Sequence, residues 1–513
     1  MSDSSAVELG ALRRNLLPLS VTGVVLSIAA CKLLIQLYSG QQYGYFRDEL
    51  YYLACSRHLA WGYVDQPPLI ALIAWMVRST IGDSLAAIHL LPALAGAFEI
   101  VLTALIAREL GGKKVAQGLA ALAALVAGGV LAIDSFLSMN AFEPVIWMGC
   151  AWIVIRIVKT GDQKLWIWFG ILAGVGLENK HSMLIFGGGI VLGLLLTPQR
   201  KVFASPWIWI AGAIAFLIFL PNLVWNIEHH FPFIELQKNI RSNGRDVPLS
   251  PLAFFGQEIL TMHPLTLPIW LAGLWFLFSE KRFRALGWAW IFTAAVIVTV
   301  SPRVYYLYPA FPLLFAAGGV FWEAQTHWRR FVWPIAIAAS AIFIAPFAIP
   351  LLPPETYIRY SQALHFSQPA IETHRLGPLP QFFADRFGWE EMTATVAGVY
   401  NNLPAEVRPK TAIFGQNYGE ASAIDMFGPR YGLPPAISGH QSYFLWGPRG
   451  YTGESVIVMH GEREDLESKF AEVQKVASVY HPYSMPFEHF DVFYCRGLKR
   501  PLGEVWPSVK QWN

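Results

Sequence analysis

The sequence predicts a polytopic α-helical membrane protein of about eleven spans, followed by a small α/β domain. Composition is the first reason. Of 513 residues, 54% are hydrophobic and only 14% are charged, whereas a soluble domain carries roughly a quarter charged residues. Too little polar side chain is available to cover a water-facing surface of this size. The second reason is the recurrence of apolar windows near 16–38, 85–107, 115–133, 143–158, 165–178, 183–197, 206–227, 263–279, 286–300, 304–322 and 331–350, the signature of membrane-spanning helices. The third is charge placement. Arg13-Arg14, Arg108/Lys113/Lys114, Lys159/Lys164, Arg200/Lys201, Lys281/Arg282/Arg284 and Arg329/Arg330 all fall on one side if the spans alternate. Basic residues mark the cytoplasmic side, so the N-terminus is expected inside the cell and everything after Pro350 outside.

Taken in order, the first element needs a decision. Arg13-Arg14 before an apolar run has the form of a signal peptide, and Ile28-Ala29-Ala30-Cys31 resembles a lipoprotein cleavage box. The run continues through Lys32 to Tyr38, which is the length of an uncleaved anchor, with Lys32 expected to reach outward to the interface. Residues 39–84 then form the first external loop, where Glu49–Trp61 and Leu69–Thr80 are apolar enough to lie on the membrane surface as helices. Residues 1–350 make up the membrane unit. From 351 to 513 the chain gains Pro, Gly, Asn and ordinary charge density. There TAIFGQ (411–416), SVIVMH (455–460) and FDVFYC (490–495) read as strands, and 390–402 and 464–477 as helices. The net charge of +3 is small, and no basic run suggests a nucleic-acid partner. Four cysteines show no metal-binding spacing and no disulfide framework. Cys55 and Cys495 share the outer side and either pair or stay free and buried.

The unusual polar groups converge on the same outer face. The stretch YFRDELYYLACSRHLAWGYVDQPPL (45–69) places Asp48 and Glu49 just after the first span, then Tyr63, Asp65 and Gln66 before a Pro-Pro pair. Glu143-Pro144 opens the fourth span, Lys180-His181 sits in the turn between the fifth and sixth, and Arg303, Tyr305 and Tyr306 begin the tenth. Carboxylates and cations at one water–lipid boundary suit chemistry on a lipid with an anionic headgroup. Each also has a plainer reading. Asp48-Glu49 and Glu143 suit helix N-termini, and Lys180, Arg303 and the tyrosines suit interfacial anchoring. His181 and the Asp65-Gln66-Pro67-Pro68 segment read equally well as turn residues.

The acidic pair after the first span, the Y-x-D-x-P-P-L loop, the acidic-Pro start of the fourth span and the YYL-x-P-x-x-P segment at 305–312 together resemble the GT-C membrane glycosyltransferases of the dolichyl-phosphate-mannose protein mannosyltransferase superfamily, bacterial glycosyltransferase family 39 type. These are related to the lipid A aminoarabinose transferase. The resemblance runs over essentially the whole chain and includes QNYGEASAIDMFGPRYGLPPAISGHQSYFLWGP (416–448). It implies a bacterial inner-membrane enzyme with a polyprenyl-phosphate-linked sugar donor, inversion at the anomeric carbon, and a lipid, glycan or protein acceptor. Asp48 would be the general base with Glu49 beside it, and Glu143 would be the family's second acidic position. Lys180, His181, Arg303, Tyr305, Tyr306, Tyr63, Asp65 and Gln66 would bind substrate. No cofactor is required and a divalent metal is not indicated. The chain departs from the pattern at Gln66, where aminoarabinose-transferase relatives carry Lys, and at His181, where Tyr is common. Glu143 stands where Asp is frequent. The competing expectation is a transporter or flippase of a lipid-linked sugar, suggested by Glu99 inside the second span. A third is an accessory protein whose first loop does no chemistry.

Overall fold

The computed structural model describes residues 23–513, apart from 302, 326–328, 367 and 369–371. Arg13-Arg14 and the beginning of the first window lie outside the described residues. The other windows are all helical, but Pro and Gly divide several of them. Leu85–Glu109, Met139–Thr160, Pro206–Glu228 and Val304–Glu323 are individually long and apolar enough to cross a membrane. Two bent pairs, Met183–Leu195 with Pro198–Ala204 (106°) and Pro251–Thr261 with Pro264–Ser279 (99°), bring that number to six among the described residues. Gly23–Ser39, Lys114–Val126 and Arg284–Val300 are shorter apolar helices. The 115–133 window is split by an extended Ala127 between Lys114–Val126 and Gly128–Ile133.

Helices in lipid gain little from hiding apolar surface, so they associate by close packing over small residues. Gly170 rests on the backbone of Ala211, where a Cβ would come within 2.5 Å of the Ala211 carbonyl oxygen. Gly193 rests on Ala285 in the same way, at 2.0 Å. The helix pairs that form this way are Trp166–Asn179 on Pro206–Glu228 and Met183–Leu195 on Arg284–Val300.

Lys32 does not reach outward. Its ammonium is fully buried, 2.7 Å from a Glu99 oxygen and 2.7 Å from an Asp134 oxygen. Gly96 leaves the room, since a Cβ there would sit 2.6 Å from the Asp134 carboxylate. An isolated ammonium in hydrocarbon is expensive, and two carboxylates close by remove the reason to snorkel. The same contact accounts for Glu99, which the sequence offered as a lone intramembrane carboxylate.

The C-terminal region builds one four-stranded sheet in the order β1-β2-β4-β3, from Thr411–Phe414, Ser455–Met459, Phe470–Val479 and Phe490–Leu498. β1 and β2 are parallel, and β4 is antiparallel to both β2 and β3. The helix expected over 464–477 is a correction: it ends at Lys469, and the rest is β3. Glu, Gln, Lys and Ala there favour helix, but pairing of Glu472 with Arg496 and Val473 with Cys495 overrides that propensity. The surface helix expected over Glu49–Trp61 runs instead from Arg47 to Cys55. Helices Pro232–Ser242, Pro251–Thr261, Pro354–Ala363 and Tyr418–Phe427 lie outside the apolar windows. Cys55 and Cys495 are both free and buried, Cys495 in the middle of β4 and Cys55 beneath the first loop.

The two parts of the chain are not separate. The Tyr418–Phe427 helix packs on Arg47–Cys55, and Leu50, Tyr51, Ile424 and Phe427 share one apolar cluster with Trp389 and Ile413. Whatever the first loop does, it does against the C-terminal sheet and its helices.

Replacing Lys32 by Met leaves two buried carboxylates without their cation. We expect a loss of about 3–5 kcal/mol of stability, read as a lower denaturant midpoint in lipid nanodiscs. Lys32→Met combined with Glu99→Gln and Asp134→Asn recovers most of it.

Candidate active site

Asp48 and Glu49 are adjacent on a helix, so their side chains leave the axis about 100° apart. That angle separates their roles. Glu49 points into the bundle and is completely buried. Its Oε1 accepts from the Leu137 backbone N–H at 2.5 Å and lies 2.7 Å from His89 Nε2, while Oε2 accepts from the Phe46 N–H at 2.8 Å. Burial pushes the Glu49 carboxyl up, but His89, the buried Arg386 and the Leu137 amide outweigh it, and the net shift is below the usual carboxylate range. The expectation that Glu49 stands beside Asp48 in the site is corrected: it is an anchor.

Asp48 faces the other way, into a cavity of about 630 Å³. Its Oδ1 accepts from the Tyr418 hydroxyl at 2.6 Å, and Arg47 Nε lies 3.9 Å away. Asp65 lines the same cavity, accepting from the Tyr51 hydroxyl at 3.0 Å. Burial pushes the Asp65 carboxyl up to about 7, the Tyr51 hydrogen bond opposing and the Asp48 charge adding to it. Carboxylates poised near neutral pH in a cleft are characteristic of functional sites.

The cations arrive from elsewhere in the chain. Lys180 Nζ lies in the cavity wall, donating to Asn140 Oδ1 at 2.7 Å and Glu143 Oε2 at 2.9 Å. It sits 4.3 Å from the centroid of the Tyr306 ring. Arg303 donates to Asp246 Oδ1 at 2.6 and 2.9 Å and approaches Glu372 at 3.3 Å. Tyr305 and Tyr306 stack on each other, ring centroids 4.7 Å apart, at the same wall. Glu372 is buried, which alone would raise its pKa, yet Arg245, Arg47 and Arg303 hold it down to about 2.

The structure therefore brings together Asp48, Asp65, Lys180, Arg303, Tyr305 and Tyr306. Besides Glu49, it leaves four candidates off the cavity wall. Glu143 stands behind Lys180, its second oxygen accepting from Ser182. His181 is buried against Asn222, Phe219 and Phe233. The Tyr63 hydroxyl bonds the backbone of Cys55, His58 and Ala60, closing the loop on itself. Gln66 is buried, with its amide nitrogen 3.7 Å from Cys55 Sγ. Local bonds of this kind are what turn residues make.

Sequence reasoning missed Arg47, Arg245, Glu372, Asp385 and Tyr418, all at the cavity wall. Arg47 stood in the quoted acidic stretch and Tyr418 opened the family-like C-terminal segment, so both were in view. Arg47 lies over the Tyr418 ring at 5.6 Å, and Gly419 makes the space, since a Cβ there would come within 2.7 Å of the Arg47 side chain. Much of the remaining wall is apolar, including Gly129, Ile133, Phe136, Leu260, Phe347 and Phe366, with Gln237, Gln257 and Gln368 among its polar members. The cavity thus combines charged groups with a broad apolar lining, a composition that fits a lipid with a phosphorylated headgroup.

Residues 65–225 match the family described as dolichyl-phosphate-mannose-protein mannosyltransferase. The lipid A galacturonosyltransferase RgtD of Rhizobium johnstonii is 24% identical over 258 residues, which is 48% of this chain and 52% of that protein. The chain thus spans about half the length of the curated relative it matches. The crystal structure of ArnT from Cupriavidus metallidurans bound to undecaprenyl phosphate superposes with a TM-score of 0.60 at 13% identity, covering 93% of this chain and 98% of ArnT. Its apo state gives 0.58 at 14% identity, covering 92% and 98%. The resemblance to the GT-C membrane glycosyltransferases is borne out, and the chain shares their membrane-embedded helical fold.

Glu49→Ala strands three donors in a buried place, whereas Asp48→Ala removes a group that faces open space. We expect about 3–5 kcal/mol of destabilisation from the first and roughly 1 kcal/mol or less from the second, measured by chemical denaturation in nanodiscs. Because the Glu49 pKa is depressed in the folded state, its contribution is present above pH of about 4.5 and is lost as pH falls through the folded value.

Proposed function

We propose that this protein is an inverting glycosyltransferase that moves a sugar from a polyprenyl-phosphate donor to an acceptor at the extracytoplasmic face. The observation that carries the reading is the cavity itself, whose wall combines carboxylates, cations and stacked tyrosines with many apolar side chains. The donor's prenyl chain lies against the apolar side chains and its phosphate among Arg47, Arg303, Lys180 and the tyrosine hydroxyls. The ArnT structure with undecaprenyl phosphate and the lipid A acceptor in the name of the RgtD relative support a lipid donor and a lipid A-like acceptor.

In the reaction, an acceptor oxygen attacks the anomeric carbon as the bond from that carbon to the phosphate oxygen breaks, its electron pair leaving with the phosphate. Asp48 takes the acceptor's proton. Tyr418 holds the Asp48 carboxylate by its 2.6 Å hydrogen bond, leaving the other oxygen for the acceptor. Asp65, when ionised, accepts a hydrogen bond from the acceptor and helps hold it at the same wall. Arg303 and Lys180 meet the charge that develops on the departing phosphate, and donors aimed at developing charge are commonly the largest single contribution to catalysis. Glu143 keeps Lys180 in place from behind. The scheme requires no metal, because the departing polyprenyl phosphate, a monoester, is already an acceptable leaving group.

The transporter reading loses its main support. Glu99 is engaged with Lys32 inside the bundle and is not at the cavity wall.

Asp48→Asn should retain binding of undecaprenyl phosphate and lose about 10²–10⁴-fold in transfer, measured with radiolabelled polyprenyl-phosphate sugars in nanodiscs. Wild-type turnover with Asp48→Asn sinks the mechanism, and translocation of the intact labelled lipid by wild type restores the transporter. Transfer should rise with pH through about 7 as Asp65 ionises. Asp65→Asn should flatten that limb while keeping part of the rate. A limb that persists in Asp65→Asn assigns it to another group.

A further inference from the structure

Glu372 is a carboxylate placed where a second anion must bind. It lines the cavity, is buried, and is gripped from several sides. Its Oε1 lies 2.8 Å from Arg245 Nη2 and 3.3 Å from Arg303 Nη2, and its Oε2 accepts from Gln381 Nε2 at 3.0 Å, with His374 Nε2 at 3.8 Å. Its backbone is held too: Glu372 bridges Asp246, and the Thr373 N–H donates to the Arg245 carbonyl at 2.9 Å. Arg47 adds to the positive field, and Asp385, Asp246 and Asp48 are further carboxylates of the same cluster. The surrounding arginines keep Glu372 ionised throughout the physiological range. It is therefore a permanent negative charge that cannot swing away, set among the cations best suited to a phosphate.

The two lipids that would visit this cavity differ in charge. In the sugar donor the phosphorus is a diester, with one negative charge at any physiological pH. The product left after transfer is a phosphate monoester, whose second proton leaves with a pKa of about 6, giving it nearly two charges at pH 7. Both would use the same arginines, but only the product sets an additional charge against a fixed carboxylate. Like charges at short range in a partly desolvated site repel strongly.

We propose that Glu372 is a specificity-determining residue that lets the cavity hold the singly charged donor and expel the doubly charged polyprenyl phosphate product. This rests on the glycosyltransferase reading above. It also gives a reason for a fully neutralised arginine cluster. Without Glu372 and Asp246, the site would bind its own product most tightly and stall.

The test is direct binding to purified protein in nanodiscs of two lipids, undecaprenyl phosphate and its methyl ester, a singly charged diester that cannot donate a sugar. Glu372→Gln is expected to tighten undecaprenyl phosphate by at least roughly tenfold and the diester by only a few-fold, so the ratio of the two dissociation constants shifts. Glu372→Asp keeps the charge and should keep the wild-type ratio. If Glu372→Gln weakens both lipids together, the carboxylate merely props the arginines and the proposal is overturned. An unchanged ratio in Glu372→Gln, or a shifted one in Glu372→Asp, overturns it as well. Thermal unfolding of the same samples establishes that the variants are folded. If wild type binds neither lipid, the glycosyltransferase reading itself falls, and this inference falls with it.

Discussion

The arrangement of the site depends on one buried carboxylate. Glu49 accepts from the amides of Phe46 and Leu137 and pairs with His89, so it ties three separated segments of chain at a single point. The Phe46 contact starts the Arg47–Cys55 helix, the Leu137 contact fixes the connection ahead of Met139–Thr160, and His89 belongs to Leu85–Glu109. A buried carboxylate is costly unless its oxygens are satisfied, and here the satisfaction of Glu49 sets the rotation of its helix. Once that rotation is set, Asp48 has only one direction left, toward the cavity. Two adjacent carboxylates serve two purposes because a helix turns.

The second constraint is that the loops of the helical unit and the C-terminal region form one site rather than two neighbouring units. Tyr418 reaches Asp48 across 370 residues of sequence, Arg245 and Arg303 meet Glu372, and Asp385 lies 3.5 Å from Arg47. Each of these bonds joins a loop near the helix ends to a segment after residue 350. Charged side chains that would be costly alone are paired across the junction, so the pairing both joins the two regions and defines the electrostatics of the cavity wall. Roughly equal numbers of cations and carboxylates face the cavity, which leaves the net field small and makes the position of individual charges, rather than their sum, decisive.

The membrane helices and the cavity impose different demands on polar residues. Deep in the bundle, Lys32, Glu99 and Asp134 close on one another and leave no group facing open space toward a ligand. At the cavity, Asp48 and Asp65 are each held through one oxygen by a tyrosine hydroxyl. That difference separates a closed cluster from one with carboxylate oxygens open to a cavity. Glu143, which reads as a site residue from its position at a helix start, instead stands behind Lys180 and pairs with it.

The helical windows, the strands at 411–416, 455–460 and 490–495, and the convergence of Asp48, Asp65, Lys180, Arg303, Tyr305 and Tyr306 were legible in the sequence. Hydrophobic runs, charge bias and turn chemistry are local properties, and these elements are governed by local properties. What the sequence could not supply were the long-range pairings. Lys32 read as a snorkelling residue because its partners stand 67 and 102 positions away. Residues 470–477 read as helix because the strand that captures them, β4, follows them in the chain. Glu49 read as standing beside Asp48 in the site because the amide of Leu137 and the ring of His89, which draw it away, come from distant segments. Composition and periodicity determined that this chain is built of apolar helices suited to a membrane. Tertiary structure alone decided which carboxylate is an anchor and which faces the cavity, because that depends on donors brought from distant parts of the chain.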